Sequence, residues 1–285
     1  MKMVQIAGGR RAMPSLGLGT WRFGESATDC AAEIAVLRQA IELGYRLFDT
    51  AEMYADGGAE TVLGQALRGA LAAGDVSRDE LFVVSKVYPH NAGRRGAVAA
   101  CERSLARLGL ETIDLYLLHW RGEHPLAETL QAFEALQAAG RIIDWGVSNF
   151  DVADLQELQG LAGGERCAAN QVWYSASQRG VEFDLLPWMR QRGMPLMAYS
   201  PIDQAALARN AGLAAVARRI GATAAQVALA WVLRTEGVLA IPKSARAEHL
   251  RANLDAAALT LDAAALAEID RAFAPPRRKA ALAMS

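Results

Sequence analysis

The chain has 285 residues, of which 52% are hydrophobic and 21% are charged, a composition that suits one large domain with a full hydrophobic core. Its 30 basic and 31 acidic side chains nearly cancel, which argues against nucleic acid or an anionic membrane as the main partner. Three widely spaced cysteines show no disulfide framework, and we find neither a secretory leader nor an apolar run of about 18 residues. We therefore expect a single cytoplasmic domain spanning residues 1–285 and acting as a monomer.

The N-terminal residues predict a β-hairpin, with strands at 3–6 and 11–13 joined by a Gly8-Gly9 turn. Short apolar strands then alternate with amphipathic helices, whose apolar residues recur every three to four positions over 98–108 and 126–136. The strand anchors are Leu16, Leu47, Phe82, Ile113, Ile143, Ala168, Leu196 and Val238. The long interval before the last anchor has room for an extra helix, and residues 262–272 predict another helix near the C-terminus. We expect a loosely held basic tail after Pro275-Pro276.

Eight strands that alternate with helices are compatible with two architectures, a closed (β/α)8 barrel and a doubly wound open sheet. Short strands at roughly even spacing favour the barrel, for which 285 residues is an ordinary length. We therefore predict an α/β fold, a (β/α)8 TIM barrel with an N-terminal β-hairpin and extra C-terminal helices.

The carboxyl ends of the predicted strands carry polar or aromatic side chains, and in a parallel barrel these ends surround one pocket. The residues are Thr20-Trp21, Asp49, Lys86, His119-Trp120, Ser148-Asn149, Gln171, Tyr199-Ser200 and Lys243-Ser244. The strand at Leu47 ends in Asp49, and Tyr54 follows on the next loop. A carboxylate and a phenol placed side by side suit proton transfer better than packing.

These segments, in this order, resemble the aldo-keto reductase family over nearly the whole chain. Asp49, Tyr54, Lys86 and His119 stand at the four positions of that family's catalytic tetrad. Further matching segments are Gly146-Val147-Ser148-Asn149, Asn170-Gln171, Ala198-Tyr199-Ser200-Pro201 and Ile241-Pro242-Lys243-Ser244. Residues 49–60 and 117–120 are especially similar to bacterial members that reduce methylglyoxal and similar small aldehydes.

The resemblance implies a role for each of the four residues. Tyr54 would protonate the oxygen of a carbonyl that accepts a hydride, and Lys86 would bring the pKa of the phenol closer to the working pH. Asp49 would pair with Lys86, and His119 would donate a hydrogen bond to the substrate oxygen. Taken singly, each has a simpler reading as a cap, a packed aromatic, a surface lysine or a core histidine. Because all four are expected at one barrel mouth, a shared catalytic role is favoured over four separate structural roles.

Hydride must come from a cofactor, because no side chain supplies it. The segment 17–22 does not match the glycine-rich dinucleotide-binding motif, because Arg22 stands where the third glycine belongs. We expect Gly17 and Gly19 instead to allow close packing of the first strand. A group of basic and polar residues late in the chain is suited to bind the 2′-phosphate of NADPH. These residues are Lys243, Ser244, Arg246, His249 and Asn253.

Two departures from the family pattern weaken the expected preference for NADPH over NADH without reversing it. Members of the family often carry arginine at the position of His249 and glutamate at the position of Ala252. By resemblance, Tyr199 would stack on the nicotinamide, and Ser148, Asn149 and Gln171 would hold its carboxamide. The remaining predicted cofactor contacts are Thr20, Trp21, Asp49, Ser200 and Pro201.

Only the short segment 120–125 separates the fourth strand from its helix, and the tail after residue 272 is short. The resemblance associates longer loops at both places with steroid substrates, so we expect an open pocket bordered by Trp21, Tyr88 and Trp120. We predict NADPH-dependent reduction of small aldehydes and 2-oxoaldehydes to alcohols. The four histidines show no ligand spacing with acidic or cysteine side chains, so no metal is expected.

Two other functions stay open from the sequence. The first is an NADPH-binding barrel that senses redox state with little turnover, and the presence of all four catalytic residue types disfavours it. The second, less favoured, is a phosphate-binding barrel isomerase that needs no nicotinamide.

Overall fold

Eight short parallel strands organise the computed structural model of the protein, which describes residues 2–6 and 11–284. A short hairpin of β1 (Met3–Val4) and β2 (Met13–Pro14) precedes them. The eight strands are β3 (Leu18–Gly19), β4 (Leu47–Asp49), β5 (Phe82–Val87), β6 (Ile113–Leu118), β7 (Ile142–Ser148), β8 (Asn170–Trp173), β9 (Leu196–Tyr199) and β10 (Val238–Ala240). Each pairs in parallel with the next along the chain.

The first and last strands of this series meet and close the ring. The backbone N–H of Gly17 donates to the carbonyl of Ala240 at 2.9 Å, and that of Gly19 donates to Pro242 at 3.1 Å. Leu16 and Ala240 form a further parallel bridge. The predicted barrel is therefore confirmed, and the open doubly wound sheet is wrong.

The hairpin covers the amino-terminal end of the barrel. Val4 of β1 and Met13 of β2 pair antiparallel, and both belong to the buried apolar cluster that contains Leu47 and Phe82, the first residues of β4 and β5. The antiparallel hairpin is confirmed, while its predicted Gly8-Gly9 turn lies outside the described residues.

Ten α-helices lie in the described part of the chain, and most of them follow strands and cover the outside of the barrel. They are α1 (Cys30–Glu42), α2 (Gly58–Ala73), α3 (Arg94–Leu108), α4 (Leu126–Ala138), α5 (Val152–Gln159), α6 (Leu185–Gln191), α7 (Ala211–Ile220), α8 (Ala224–Leu233), α9 (Ala247–Ala258) and α10 (Ala263–Ala272). The extra helix before β10 is confirmed by α7 and α8, and α10 matches the helix predicted at 262–272. In the tail, Lys279 Nζ lies 3.2 Å from Asp184 Oδ2.

Side chains alternate between two apolar layers along each barrel strand, as the pleat of a strand requires. In β5, Phe82 and Val84 fill the barrel interior with Leu115 and Met197 of other strands. Val83 and Val87 face the surrounding helices. This alternation directs residue 86 into the barrel and residue 85 toward the helices, which decides where the polar side chains of β5 lie.

Across residues 2–6 and 11–284, no helix combines the length and the apolar character that a bilayer crossing requires.

Candidate active site

A buried ion pair lies at the carboxyl-terminal mouth of the barrel. Lys86 Nζ donates to Asp49 Oδ1 at 2.7 Å and to the carbonyl of Thr50 at 2.8 Å. Gln171 Nε2 donates to the second carboxylate oxygen of Asp49 at 2.7 Å. Asp49 is 2% exposed and Lys86 is fully buried, so both charges depend on these contacts rather than on water.

The electrostatics of the pair keep Lys86 charged. Burial alone would lower the pKa of the lysine, but the adjacent Asp49 carboxylate and the Tyr54 phenol raise it above its ordinary value. Burial raises the pKa of the Asp49 carboxyl, and its contacts with Lys86 and Gln171 lower it by less. The site therefore holds a fixed cation at the mouth of the barrel.

Tyr54 begins the strained turn that follows β4, a single 3₁₀ turn over Tyr54–Gly57. Ala55 and Asp56 have φ angles of 50° and 51°, and Gly57 has a φ of 87°. This turn brings the phenol oxygen to 3.4 Å from Lys86 Nζ, with the ammonium 5.0 Å from the ring centroid. The predicted neighbourhood of Tyr54 and Lys86 is present in the structure.

The net shift of the Tyr54 pKa differs from the expectation. Burial raises the pKa of the phenol above its ordinary value, and the attraction of Lys86 offsets only part of that rise. The expectation that Lys86 brings this pKa toward neutrality is therefore wrong in its net direction, because desolvation outweighs the nearby cation. The phenol stays protonated at neutral pH and can act as a proton donor.

His119 directly follows β6 and lies beside Tyr54, with ring centroids 5.7 Å apart and the rings edge to face. Its backbone N–H donates to the carbonyl of Val87, and its own carbonyl accepts from Asn149 Nδ2 at 3.2 Å. Burial, and secondarily the charge of Lys86, lower the pKa of His119 well below its ordinary value. The imidazole is therefore neutral, and its Nδ1 is buried without a hydrogen-bond partner in the described structure.

The three predicted substrate contacts lie at the same mouth. Trp120 packs against His119 and Tyr88, with ring centroids 4.9 Å and 5.1 Å apart. Trp21 follows β3 and is 44% exposed. Tyr88 and Trp120 therefore extend the ring pair of Tyr54 and His119 outward as one aromatic wall.

The residues predicted to hold a nicotinamide are linked to each other and to the tetrad. The Tyr199 hydroxyl donates to Asn149 Oδ1 at 3.0 Å, and the ring of Tyr199 stacks on that of Trp173. Ser148 Oγ donates to the carbonyl of Gln171 at 2.9 Å. Their side chains are buried or half-buried, which suits one face of a planar ring.

Three further predicted cofactor contacts lie at the mouth of the barrel. Thr20 is fully buried, and its hydroxyl donates to the carbonyl of Asp49 at 3.1 Å. Ser200 has a φ of 47°, and Pro201, which follows it, is buried. Thr20 directly follows β3, and Ser200 and Pro201 directly follow β9.

The residues predicted to bind the 2′-phosphate cluster where α9 begins. Ser244 Oγ accepts from the backbone N–H of Arg246, the N-cap residue of α9. Lys243 is exposed, and the side chains of Arg246 and His249 are 71% and 57% exposed. Two exposed cations at a helix N-terminus form a donor set that fits a phosphate group. Asn253 differs, because it lies on the buried face of α9 and is only 8% exposed.

Gly17 and Gly19 have a packing role. A Cβ at Gly17 would lie 2.6 Å from Leu47 Cγ, and one at Gly19 would lie 3.0 Å from the carbonyl oxygen of Ile241. Both distances leave no room for a side chain, so close packing of the first strand is confirmed.

Comparison with known proteins decides the family. The model of the aldo/keto reductase family matches residues 15–274. The chain belongs to the aldo/keto reductase family. The resemblance derived from the tetrad and the strand-end segments is thereby confirmed.

Individual relatives cover almost the whole of this aldo/keto reductase. It is 50% identical to methylglyoxal reductase YeaE of Escherichia coli, over 99% of both chains. It is 36% identical to a glyoxal reductase of Bacillus subtilis, over 85% of this chain and 83% of the relative. An aldo/keto reductase from Klebsiella pneumoniae, solved in complex with NADP and acetate, superposes with a TM-score of 0.94 at 48% identity, covering 100% of this chain and 99% of the other.

Two buried carboxylates near the site were not singled out from the sequence. Glu52 is 8% exposed and Glu60 is fully buried, and both pair with arginines of α3. Glutamates in a turn, such as Glu52, or in the first turn of a helix, such as Glu60, are ordinary surface features, so only the packing of α3 beside them reveals their burial. Within the residues that the structure describes, no three histidine, cysteine, aspartate or glutamate side chains converge as a metal site would require.

The depressed pKa of His119 predicts a pH-dependent stability. The unfolded chain takes up a proton at this histidine as the pH falls below about 6.5, whereas the folded protein does not. The contribution of His119 to the free energy of unfolding is therefore complete above that pH and declines below it, by at most about 1.4 kcal/mol per pH unit. Urea unfolding between about pH 5 and pH 7 measures the slope. In His119→Phe this pH dependence of the free energy of unfolding should be absent. The control is His249→Gln, which replaces an exposed histidine and should keep the slope of the unmodified protein. An identical slope in His119→Phe and the unmodified protein would contradict the prediction.

Proposed function

We propose that this aldo/keto reductase uses NADPH to reduce small aldehydes and 2-oxoaldehydes, such as methylglyoxal, to alcohols. The observation that carries the proposal is the Tyr54 phenol, which lies 3.4 Å from a buried lysine and edge to face with a neutral histidine. The relatives named methylglyoxal reductase and glyoxal reductase, and the neighbour solved with NADP, support it.

NADPH, when bound, supplies the hydride that reduces the carbonyl carbon. The residues we assign to its nicotinamide are Tyr199, Ser148, Asn149 and Gln171, and those we assign to its 2′-phosphate are Lys243, Ser244, Arg246 and His249. Lys243 and Arg246 are both exposed in this region, and their cationic side chains favour NADPH over NADH. Asn253 lies on the buried face of α9 and is not among them.

Tyr54 acts as the general acid in this proposal. As the carbonyl carbon gains the hydride, the oxygen acquires negative charge and takes the phenol proton, and solvent later returns a proton to the phenolate. Burial favours the protonated phenol at neutral pH, which is the form that reduction needs. Lys86 stabilises the phenolate that forms during the reaction, and Asp49 together with the Thr50 carbonyl holds Lys86 in place.

His119 orients the substrate carbonyl as a neutral hydrogen-bond donor. Its lowered pKa excludes a charged imidazolium at neutral pH, so one ring nitrogen carries a proton and the other does not. Because Nδ1 is covered by protein, we assign the donor role to Nε2. The oxygen then receives two donors, His119 for orientation and Tyr54 for protonation.

The open mouth favours a small substrate. Trp120 begins the short loop 120–125 that leads directly to α4, so this loop adds no long cover to the aromatic wall of Tyr88 and Trp120. Few contacts are available to a bulky ligand, and discrimination among small aldehydes should be modest.

A substrate panel tests this assignment. Steady-state kcat/KM with NADPH is expected to be about tenfold or more higher for methylglyoxal than for a bulky steroid ketone, because a large apolar ligand gains little from an open pocket. A parallel series with NADH controls for cofactor choice. Preference for the steroid ketone would overturn the substrate assignment.

A further inference from the structure

Two buried carboxylates border the turn that carries Tyr54. Glu52 precedes the tyrosine by two residues, and Glu60 follows it in the first turn of α2. Each pairs with an arginine of α3: Glu52 with Arg103 at 3.4 Å and Glu60 with Arg107 at 2.6 Å. The two arginines are four positions apart, so they lie on one face of α3.

Glu60 connects this face to the strand that carries Lys86. Its Oε1 accepts from Ser85 Oγ at 2.6 Å, and its Oε2 accepts from Arg107 Nε at 2.6 Å. Ser85 faces the helices because it alternates with Lys86, whose side chain enters the barrel. The position of α2 is therefore tied to the residue adjacent to the catalytic lysine.

Glu52 makes the equivalent connection beyond Lys86. Its Oε1 accepts from the backbone N–H of Tyr88 at 2.7 Å and from Asn91 Nδ2 at 3.1 Å. Its own backbone N–H lies 3.4 Å from the carbonyl of Lys86. The chain before Tyr54 and the chain after it are thus both anchored to β5, on either side of Lys86.

The turn between these anchors needs restraint. Ala55 and Asp56 occupy left-handed backbone conformations that are strained for non-glycine residues. Arg107 packs against the turn at Gly57, where a Cβ would lie 2.5 Å from its Nε. A strained turn keeps its geometry only where the surroundings determine it, and here Arg107 and the two carboxylates surround it.

We infer that Glu52 and Glu60, with Arg103 and Arg107, are positioning residues that hold the Tyr54 phenol in register with Lys86. The inference rests on the proposed reductase function. None of the four contacts the reacting atoms; they act through the turn and through β5. Because proton transfer is sensitive to small displacements, loosening the turn should reduce kcat while leaving cofactor binding unchanged.

The test compares Glu60→Gln and Glu52→Gln with Glu102→Gln. Glu102 lies on α3, the helix that carries Arg103 and Arg107, and pairs at the surface with Arg141 at 3.2 Å, which makes it a matched control. In both test variants kcat for methylglyoxal should fall by about tenfold or more, with the NADPH Kd unchanged within about twofold. The solvent deuterium isotope effect on kcat should rise, since proton transfer becomes slower. The control should match the unmodified enzyme.

Two outcomes overturn the inference. One is a folded Glu60→Gln enzyme whose kcat stays within about twofold of the unmodified enzyme. The other is a parallel loss of kcat and NADPH affinity, which indicates general loosening of the fold. If Glu60→Gln does not fold, Ser85→Ala decides, because it removes only the bond from Glu60 to β5; unchanged kcat there also refutes the inference. Absence of turnover in the unmodified protein would instead refute the proposed function.

Discussion

Replacement of Tyr54 by phenylalanine is expected to reduce kcat for methylglyoxal by about 10²- to 10⁴-fold, the range attributed to a positioned general acid. The ring stays, so its packing against His119 and the ammonium of Lys86 is retained. Only the proton donor is lost. The NADPH Kd, measured by fluorescence quenching, should therefore stay close to that of the unmodified enzyme.

Tyr174→Phe is the control for this prediction. Tyr174 is a buried tyrosine whose hydroxyl donates to Glu182 at 2.7 Å, and it does not contact the tetrad. It loses the same atom with the same change in volume, so its kcat should be unaffected. Undiminished turnover in Tyr54→Phe would remove Tyr54 from its role as acid.

Removal of Asp49 is expected to cause the largest loss of stability. Asp49→Ala leaves the fully buried ammonium of Lys86 without its carboxylate, and breaking a buried pair in this way costs about 3–5 kcal/mol in the free energy of unfolding. Urea unfolding at neutral pH measures the loss. Turnover should also fall, because Lys86 is no longer held beside Tyr54.

The double variant Asp49→Ala with Lys86→Met separates the charge penalty from the cavity. Once the ammonium is replaced by an apolar chain of similar length, no unpaired charge remains in the barrel. The double variant should therefore be more stable than Asp49→Ala alone. Simple additivity of the two single losses would show that the ion pair is not the source of the effect.

The approach of Asp49 and Lys86 could be predicted because it follows from local rules. Neighbouring parallel strands end at one edge of the barrel, and alternation along each strand decides which side chains face inward. An apolar strand that ends in aspartate, followed by a strand with an inward lysine, therefore predicts a contact. Strand limits were less accurate: Leu16 and Ala168 precede the strands they were chosen to anchor, because these strands contain only two and four residues.

The features that escaped prediction depend on burial, which tertiary packing decides. The net pKa shift of Tyr54 follows from desolvation at the barrel mouth, and nothing in residues 49–60 measures that depth. Glu52 and Glu60 are buried only because α3 packs beside the turn. Asn253 lies on the buried face of α9, while His249, one turn earlier, faces solvent. The single-domain, monomeric and cytoplasmic states and the absence of a metal stay predictions from composition and spacing.

The decisive measurement is the oxidation of NADPH by methylglyoxal, followed through the absorbance of the reduced nicotinamide. Catalytic amounts of the unmodified protein should consume NADPH in proportion to the aldehyde reduced, and omission of either the protein or the aldehyde should stop the loss. Tight binding of NADPH without its consumption, across the whole aldehyde panel, would contradict the account and favour a redox-sensing barrel.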